Sequence, residues 1–260
     1  MGMLVGVIHL PALPGSPRGA LSAEECARSA AEDARVLAAA GYDAIIVENF
    51  GDTPFFASRV PPVTVAAMTA CAVAVRAAAP GVALGINILR NDAEAALSVA
   101  VCTGASFVRI NVHTGARVTD QGLVQGEAAT TLRLRRALGA EKIAIWADVD
   151  VKHSAPLGGA RPLVQEVEDL TKRGMADVVL VTGEGTGKAV DLVKLAAVKR
   201  ASGKPVLVAS GATLATLDAL AASADGVVVG SALREGGIPG GPIDARLAQE
   251  LAAAFRSAFA

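Results

Sequence analysis

The stretch KPVLVASGATLATLDALAASADGVVVGSAL, residues 204–233, decides the fold. It holds two short valine-rich runs, residues 205–210 and 226–230, each of a length that suits one buried strand. An Ala- and Leu-rich segment of helical composition separates them. The stretch therefore reads as one βαβ unit with parallel strands. Both runs stop at a small polar glycine turn, Ser210-Gly211 and Gly230-Ser231.

The same alternation fills the rest of the 260-residue chain. Six earlier runs cover residues 4–9, 44–49, 82–87, 107–111, 143–149 and 177–182. Helical segments lie between them, such as 23–40, 92–103 and 163–173, with Gly41, Gly104 and Gly174 placed as C-caps. A last helix over 244–259 completes the eighth unit. Eight such units suit either a (β/α)8 barrel or an open doubly wound sheet. The barrel is favoured, because no GxGxxG follows the first run and the last two turns stand where barrels commonly hold phosphate. With no Pro/Gly/Ser-rich linker, residues 1–260 form a single domain. No short-period sequence repeat is evident.

Composition narrows the function class. The 24 basic and 25 acidic residues nearly cancel, unlike the concentrated basic face of a nucleic-acid binder. Cys26, Cys71 and Cys102 form neither a CxxC pair nor a secreted disulfide framework, and read as buried apolar residues in a reducing cytoplasm. The mean hydropathy of +0.47 comes from alanine, and no apolar stretch reaches the roughly 20 residues of a transmembrane helix. The prolines at 11, 14 and 17 and the lack of a basic start argue against a signal peptide.

In a barrel the reactive groups stand at the carboxyl ends of the strands. Here those ends are polar: His9, Glu48 with Asn49, Asn87, Asn111, Asp148, then Thr182, Ser210 and Ser231. His9 suits acid/base work near neutral pH, or a hydrogen bond to the Pro-rich first loop. Strand alternation lets only one of Glu48 and Asn49 face inward; Glu48 there would be a general base or would pair with an arginine. Arg109 and Asn111 share one face, and a guanidinium inside a barrel calls for Glu48 or Asp148 as partner. Asp92 suits the N-cap of the helix that follows it. Thr119-Asp120-Gln121-Gly122 reads as a lid or substrate loop, and His113 as part of the loop after the fourth run. Lys152, after Asp148, could transfer protons; it lies beyond the strand end, where a barrel aldolase usually carries its Schiff-base lysine, so that chemistry is disfavoured.

Thr182-Gly183-Glu184-Gly185-Thr186-Gly187-Lys188 fails the P-loop spacing, yet glycine turns before helices expose backbone N–H groups that favour an anion. Together with Ser210-Gly211 and Gly230-Ser231 they form three successive anion-friendly turns. No organic-cofactor motif is present, no metal ligand set is assigned, and a divalent metal is left open.

The segments VIHLPALPGSP (7–17), IIVENFGDTPF (45–55), INILRNDA (86–93), FVRINV (107–112), VTDQGLVQG (118–126), ADVDVKHSAPL (147–157) and VTGEGTG (181–187) together resemble the BtpA family and its BtpA/SgcQ-like members. The resemblance implies a barrel similar to phosphate-binding barrels. It leaves function open, since one member is tied to photosystem I biogenesis at the thylakoid membrane and others look like enzymes of sugar or nucleoside metabolism.

Two expectations follow. The first is a cytoplasmic enzyme, a lyase, aldolase, isomerase or glycosyl-cleaving activity on a phosphorylated sugar or nucleoside, with His9, Glu48, Asp148, Arg109, Asn111 and Lys152 as the reacting set. Asn87, Thr182, Gly183, Gly185, Gly187, Ser210, Gly211, Gly230 and Ser231 would hold the substrate and its phosphate. The second is a non-catalytic factor, peripheral to a membrane, in membrane-complex biogenesis. The Ala-rich exterior and common symmetry point to a homo-oligomer.

Overall fold

The computed structural model describes residues 2–159, 161–183 and 190–260. Its strands are β1 (Met3–His9), β2 (Ala44–Glu48), β3 (Ala83–Asn87), β4 (Phe107–Ile110), β5 (Ala116–Thr119), β6 (Gly122–Gln125), β7 (Ala144–Val149), β8 (Ala155–Pro156), β9 (Val178–Val181), β10 (Val206–Val208) and β11 (Gly226–Val229). The helices are α1 (Ala23–Ala39), α2 (Pro62–Ala78), α3 (Ala93–Thr103), α4 (Ala128–Ala137), α5 (Leu163–Glu168), α6 (Leu192–Ser202), α7 (Leu217–Ala221) and α8 (Ala245–Ala258). Eight strands close in the order β1-β2-β3-β4-β7-β9-β10-β11, all neighbours parallel. Pairing of β1 with both β2 and β11 excludes the open doubly wound sheet.

Side-chain alternation divides each strand between two cores. Val5, Val7, Ala44, Ile46, Phe107, Trp146, Leu180, Leu207 and Val228 cluster inside the barrel, with Phe107 and Trp146 stacked at 3.8 Å. Gly85 makes room for that stack, since a β-carbon there would meet the Phe107 ring at 2.2 Å. Leu4, Ile8, Ile45, Val47, Val108, Ile110, Ile145 and Val149 point outward and join the helix-facing core.

At the amino ends of the strands a device recurs. Asp43, Asp177 and Asp225 each stand just before a strand and accept the backbone N–H of a residue in the neighbouring strand: Leu4 at 2.7 Å, Ile145 at 2.8 Å and Val206 at 2.7 Å. These clips hold register at the end of the barrel far from the polar strand ends.

Several details depart from the expected pattern. Residues 116–125 form an antiparallel hairpin, β5–β6, extended by β8 into a separate three-stranded sheet. Gly174 is not a left-handed C-cap: its φ is −77°, and α5 runs into a single π-helical turn, Asp169–Arg173. A β-carbon at Gly174 would meet Leu170 O and Thr114 Cγ2 at 2.7 Å, so close packing asks for glycine there. Cys26 and Cys71 are buried as expected, whereas Cys102 is exposed.

Candidate active site

The alternation that sends Val5 and Val7 inward also sends His9 inward one step higher, and the same counting places Glu48, Asn87, Arg109 and Asp148 above their strands' apolar residues. All five are buried. Arg109 grips Asp148 with two charge-assisted bonds, Nε to Oδ1 at 3.0 Å and Nη2 to Oδ2 at 2.9 Å. Asn111 Nδ2 donates to the same carboxylate at 3.1 Å. Burial opposes the Arg109 charge, but Asp148 outweighs it and holds the guanidinium more firmly protonated. Its remaining nitrogen, Nη1, lies 3.9 Å from Glu48 Oε2.

His9 Nδ1 accepts the Gly240 N–H at 3.2 Å, which puts the ring proton on Nε2. That nitrogen lies 3.9 Å from Glu48 Oε1, and Phe50 stacks on the ring at 4.3 Å. Burial first, then the charges of Arg234, Lys152 and Arg109, hold the imidazole pKa well below the usual histidine range. His9 is thus a neutral Nε2–H donor beside a carboxylate. Lys152 joins the same group: burial and Arg109 bring its ammonium down to about 8, against the pull of Glu48 and Asp148.

These residues line a cavity of about 420 Å³ at the carboxyl ends of the strands. His9, Glu48, Arg109, Asn111 and Lys152 form one side, and Ser210, Gly211, Gly230 and Ser231 another. The two sides meet where a β-carbon on Gly230 would stand 2.9 Å from His9 Nε2. Among the described residues, the backbone N–H groups of Gly211, Ala212 and Gly230 donate to no protein acceptor. Such N–H groups at a turn are available to an anion.

Other expected residues lie off the cavity wall. Asn87 sits beneath it, donating to Arg109 O and Asn111 Oδ1. Asp148 is sealed behind Arg109, its side chain 0% exposed. Thr182 Oγ1 accepts the Lys152 N–H at 3.0 Å, so it positions the lysine segment. Gly183 is buried outside the wall, and Gly185, Gly187 and Lys188 lie outside the described residues. Asn49 faces outward, as alternation requires, and bonds Leu89 and Asp52. Asp92 caps α3 through the Ala95 N–H. His113 turns away from the cavity and bonds Gly174 O.

Asp120 and Gln121 of the expected substrate loop form the hairpin tip and line the cavity. The structure adds groups that sequence reasoning did not place: Phe50, Phe55 and Leu89 give the cavity an apolar wall. Arg234 is buried and donates to Gly230 O, Gly241 O and Val7 O, fixing the last turn. Its only sequence signal is an arginine three positions after Ser231. Among the described residues no group of three or more His, Cys, Asp or Glu side chains is placed to share a metal ion.

The profile of the BtpA family matches residues 2–257. The chain belongs to the BtpA family. Photosystem I biogenesis protein BtpA of Synechocystis sp. is 44% identical to it over 237 residues, 90% of this chain and 81% of that protein. An uncharacterized protein of Pyrococcus furiosus is 41% identical over 248 residues, 95% of this chain and 92% of that one. Among solved structures, thiamine phosphate pyrophosphorylase from Pyrococcus furiosus matches this BtpA-family chain with a TM-score of 0.63 at 14% identity, covering 99% of this chain and 98% of that one. Phosphoribosyl anthranilate isomerase from Thermus thermophilus gives 0.58 at 18%, covering 98% and 99%. At such identities the likeness is one of fold, a TIM barrel. No described helix is long and apolar enough to cross a membrane.

Proposed function

We propose that this BtpA-family barrel is an enzyme that moves protons on a phosphorylated small molecule, a sugar or nucleoside phosphate. The observation that carries the reading is the neutral Nε2–H of His9, set 3.9 Å from Glu48 and sharing one cavity with the N–H groups of Gly211, Ala212 and Gly230, which meet no acceptor among the described residues. A phosphate at those turns would leave the rest of the substrate over Glu48, Arg109 and Lys152. Glu48 is then the base, His9 Nε2–H the donor to an oxygen that gains charge, and the Arg109 Nη1 group an electrostatic stabiliser. Names of two structural neighbours, thiamine phosphate pyrophosphorylase and phosphoribosyl anthranilate isomerase, agree with a phosphorylated substrate.

The test is a panel of sugar and nucleoside phosphates incubated with the protein in deuterated water and followed by NMR and mass spectrometry. One substrate class should gain solvent deuterium at carbon or be cleaved, and His9→Gln and Glu48→Gln should abolish this. If no panel member raises the melting temperature and none is changed, the reading is wrong. A second reading, a non-catalytic factor for membrane-complex assembly, draws on the name of the Synechocystis relative. Membrane complexes that stay unchanged when the gene is deleted would remove it.

A further inference from the structure

The chain beyond β7 does not run away from the barrel. Asp150 and His153 adopt left-handed φ values of 48° and 56°, a strained choice for residues with side chains, and between them the backbone turns Lys152 back over the strand ends. Two bonds fix it there: its N–H donates to Thr182 Oγ1 at 3.0 Å, and its carbonyl accepts from Arg90 Nη2 at 2.8 Å. The side chain lines the cavity with His9, Glu48 and Arg109. Lys172, Lys194 and Lys199 each reach a carboxylate. The Lys152 ammonium has no such partner within hydrogen-bond reach among the described residues.

We infer that Lys152 is an imine-forming amine, whose Nζ condenses with the carbonyl of an open-chain phosphorylated ketose or aldose held in the same cavity. This rests on the phosphate reading above and narrows its substrate to a carbonyl compound. The Nζ lone pair adds to the carbonyl carbon while the carbonyl oxygen takes a proton, giving a carbinolamine. Departure of that oxygen as water leaves a protonated C=N bond, so ammonium and carbonyl become iminium and water. The iminium is then the electron sink for proton loss or carbon–carbon cleavage at the adjacent carbon. His9 Nε2–H and Glu48 are the groups that carry protons in and out.

Burial and the charges of Arg109 and Arg90 lower the pKa of the amine, those of Glu48 and, from behind Arg109, Asp148 raise it, and together they leave it at about 8; His9, neutral, lines the same cavity. Near pH 7.5 its neutral fraction then exceeds that of an ordinary lysine by roughly two-hundredfold.

The experiment adds dihydroxyacetone phosphate, glyceraldehyde 3-phosphate or ribose 5-phosphate to the full chain, reduces with borohydride, and maps the adduct by mass spectrometry. The expected result is one covalent adduct on the Lys152 peptide, at least roughly tenfold above any exposed lysine. It should rise with pH through about 8, be suppressed by inorganic phosphate, and be absent from Lys152→Arg and Lys152→Met proteins whose circular dichroism is unchanged. Adducts spread evenly over surface lysines would overturn the inference. So would a probe that raises the melting temperature yet gives no adduct, and in that case the phosphate reading survives. If no probe labels the protein and no member of the sugar and nucleoside phosphate panel raises the melting temperature or is changed, both readings fall.

Discussion

The His9 ring is held from three directions, by Phe50 on its face, by the Gly240 N–H at Nδ1, and by the missing β-carbon of Gly230. Gly230→Ala should therefore displace the ring while the barrel stays folded. A misplacement near 1 Å costs about a hundredfold in rate, so kcat/KM of the active substrate class should fall by that order with circular dichroism unchanged. The neutral state of His9 also has a signature. Burial lowers its pKa, so below about pH 6.5 the unfolded chain binds a proton that folded His9 does not, and stability falls as pH drops through that range. His113, also lowered by burial, acts in the same sense, while Asp33 and Asp52, raised by burial, act in the opposite sense at more acid pH. Comparing the wild-type and His9→Gln melting temperatures from pH 7 to pH 5 isolates the His9 part: the wild-type should lose more. Asp148 is different in kind. Its removal as Asp148→Ala takes both charge-assisted bonds from the buried Arg109 and leaves it only the looser Glu48 contact at 3.9 Å, and unfolding in urea should show a loss of about 3–5 kcal/mol. These inward residues were legible because strand alternation is arithmetic. Gly240 and Arg234 were not, since their long-range contacts, to His9 and to Val7 O, leave no local pattern.

At the level of elements, the valine-rich runs marked every barrel strand to within two residues. The hairpin was missed for a physical reason: β5 and β6 are four residues each and half exposed, so they carry no apolar alternation to read. What anchors the hairpin is a small cluster of Val112, Val124 and Val151, together with Arg117, which reaches Asp150 and Glu166. The expected substrate loop is its tip. Replacing Asp120-Gln121 by Asn-Gly keeps a two-residue hairpin turn while removing the Asp120 charge and the Gln121 side chain from the cavity. Ligand affinity should drop, read by calorimetry, and stability should move by no more than about 0.5 kcal/mol.

Over the whole molecule, barrel closure was inferred from an absent dinucleotide motif and two late turns, because an open sheet shares the same strand pattern. Only the β1–β11 pairing settles it. The closed form separates two ends. Asp177→Ala removes a clip from the lower end and leaves the Ile145 N–H without its acceptor, a loss of about 1–3 kcal/mol. Ligand affinity should be unchanged, and the stability effect should add to that of the hairpin variant within about 0.5 kcal/mol. If the two effects couple strongly, the ends are not independent.

The carboxylate clips have a consequence for how such a chain can change over generations. Because register is secured at the end where no chemistry is proposed, the loops at the opposite rim can vary in length and composition without loosening the frame beneath them. Random substitution should then sort into two populations. One would lower expression and melting temperature together. The other would alter ligand preference in proteins that remain as abundant as the parent, and that second population is the raw material from which a new activity could be selected.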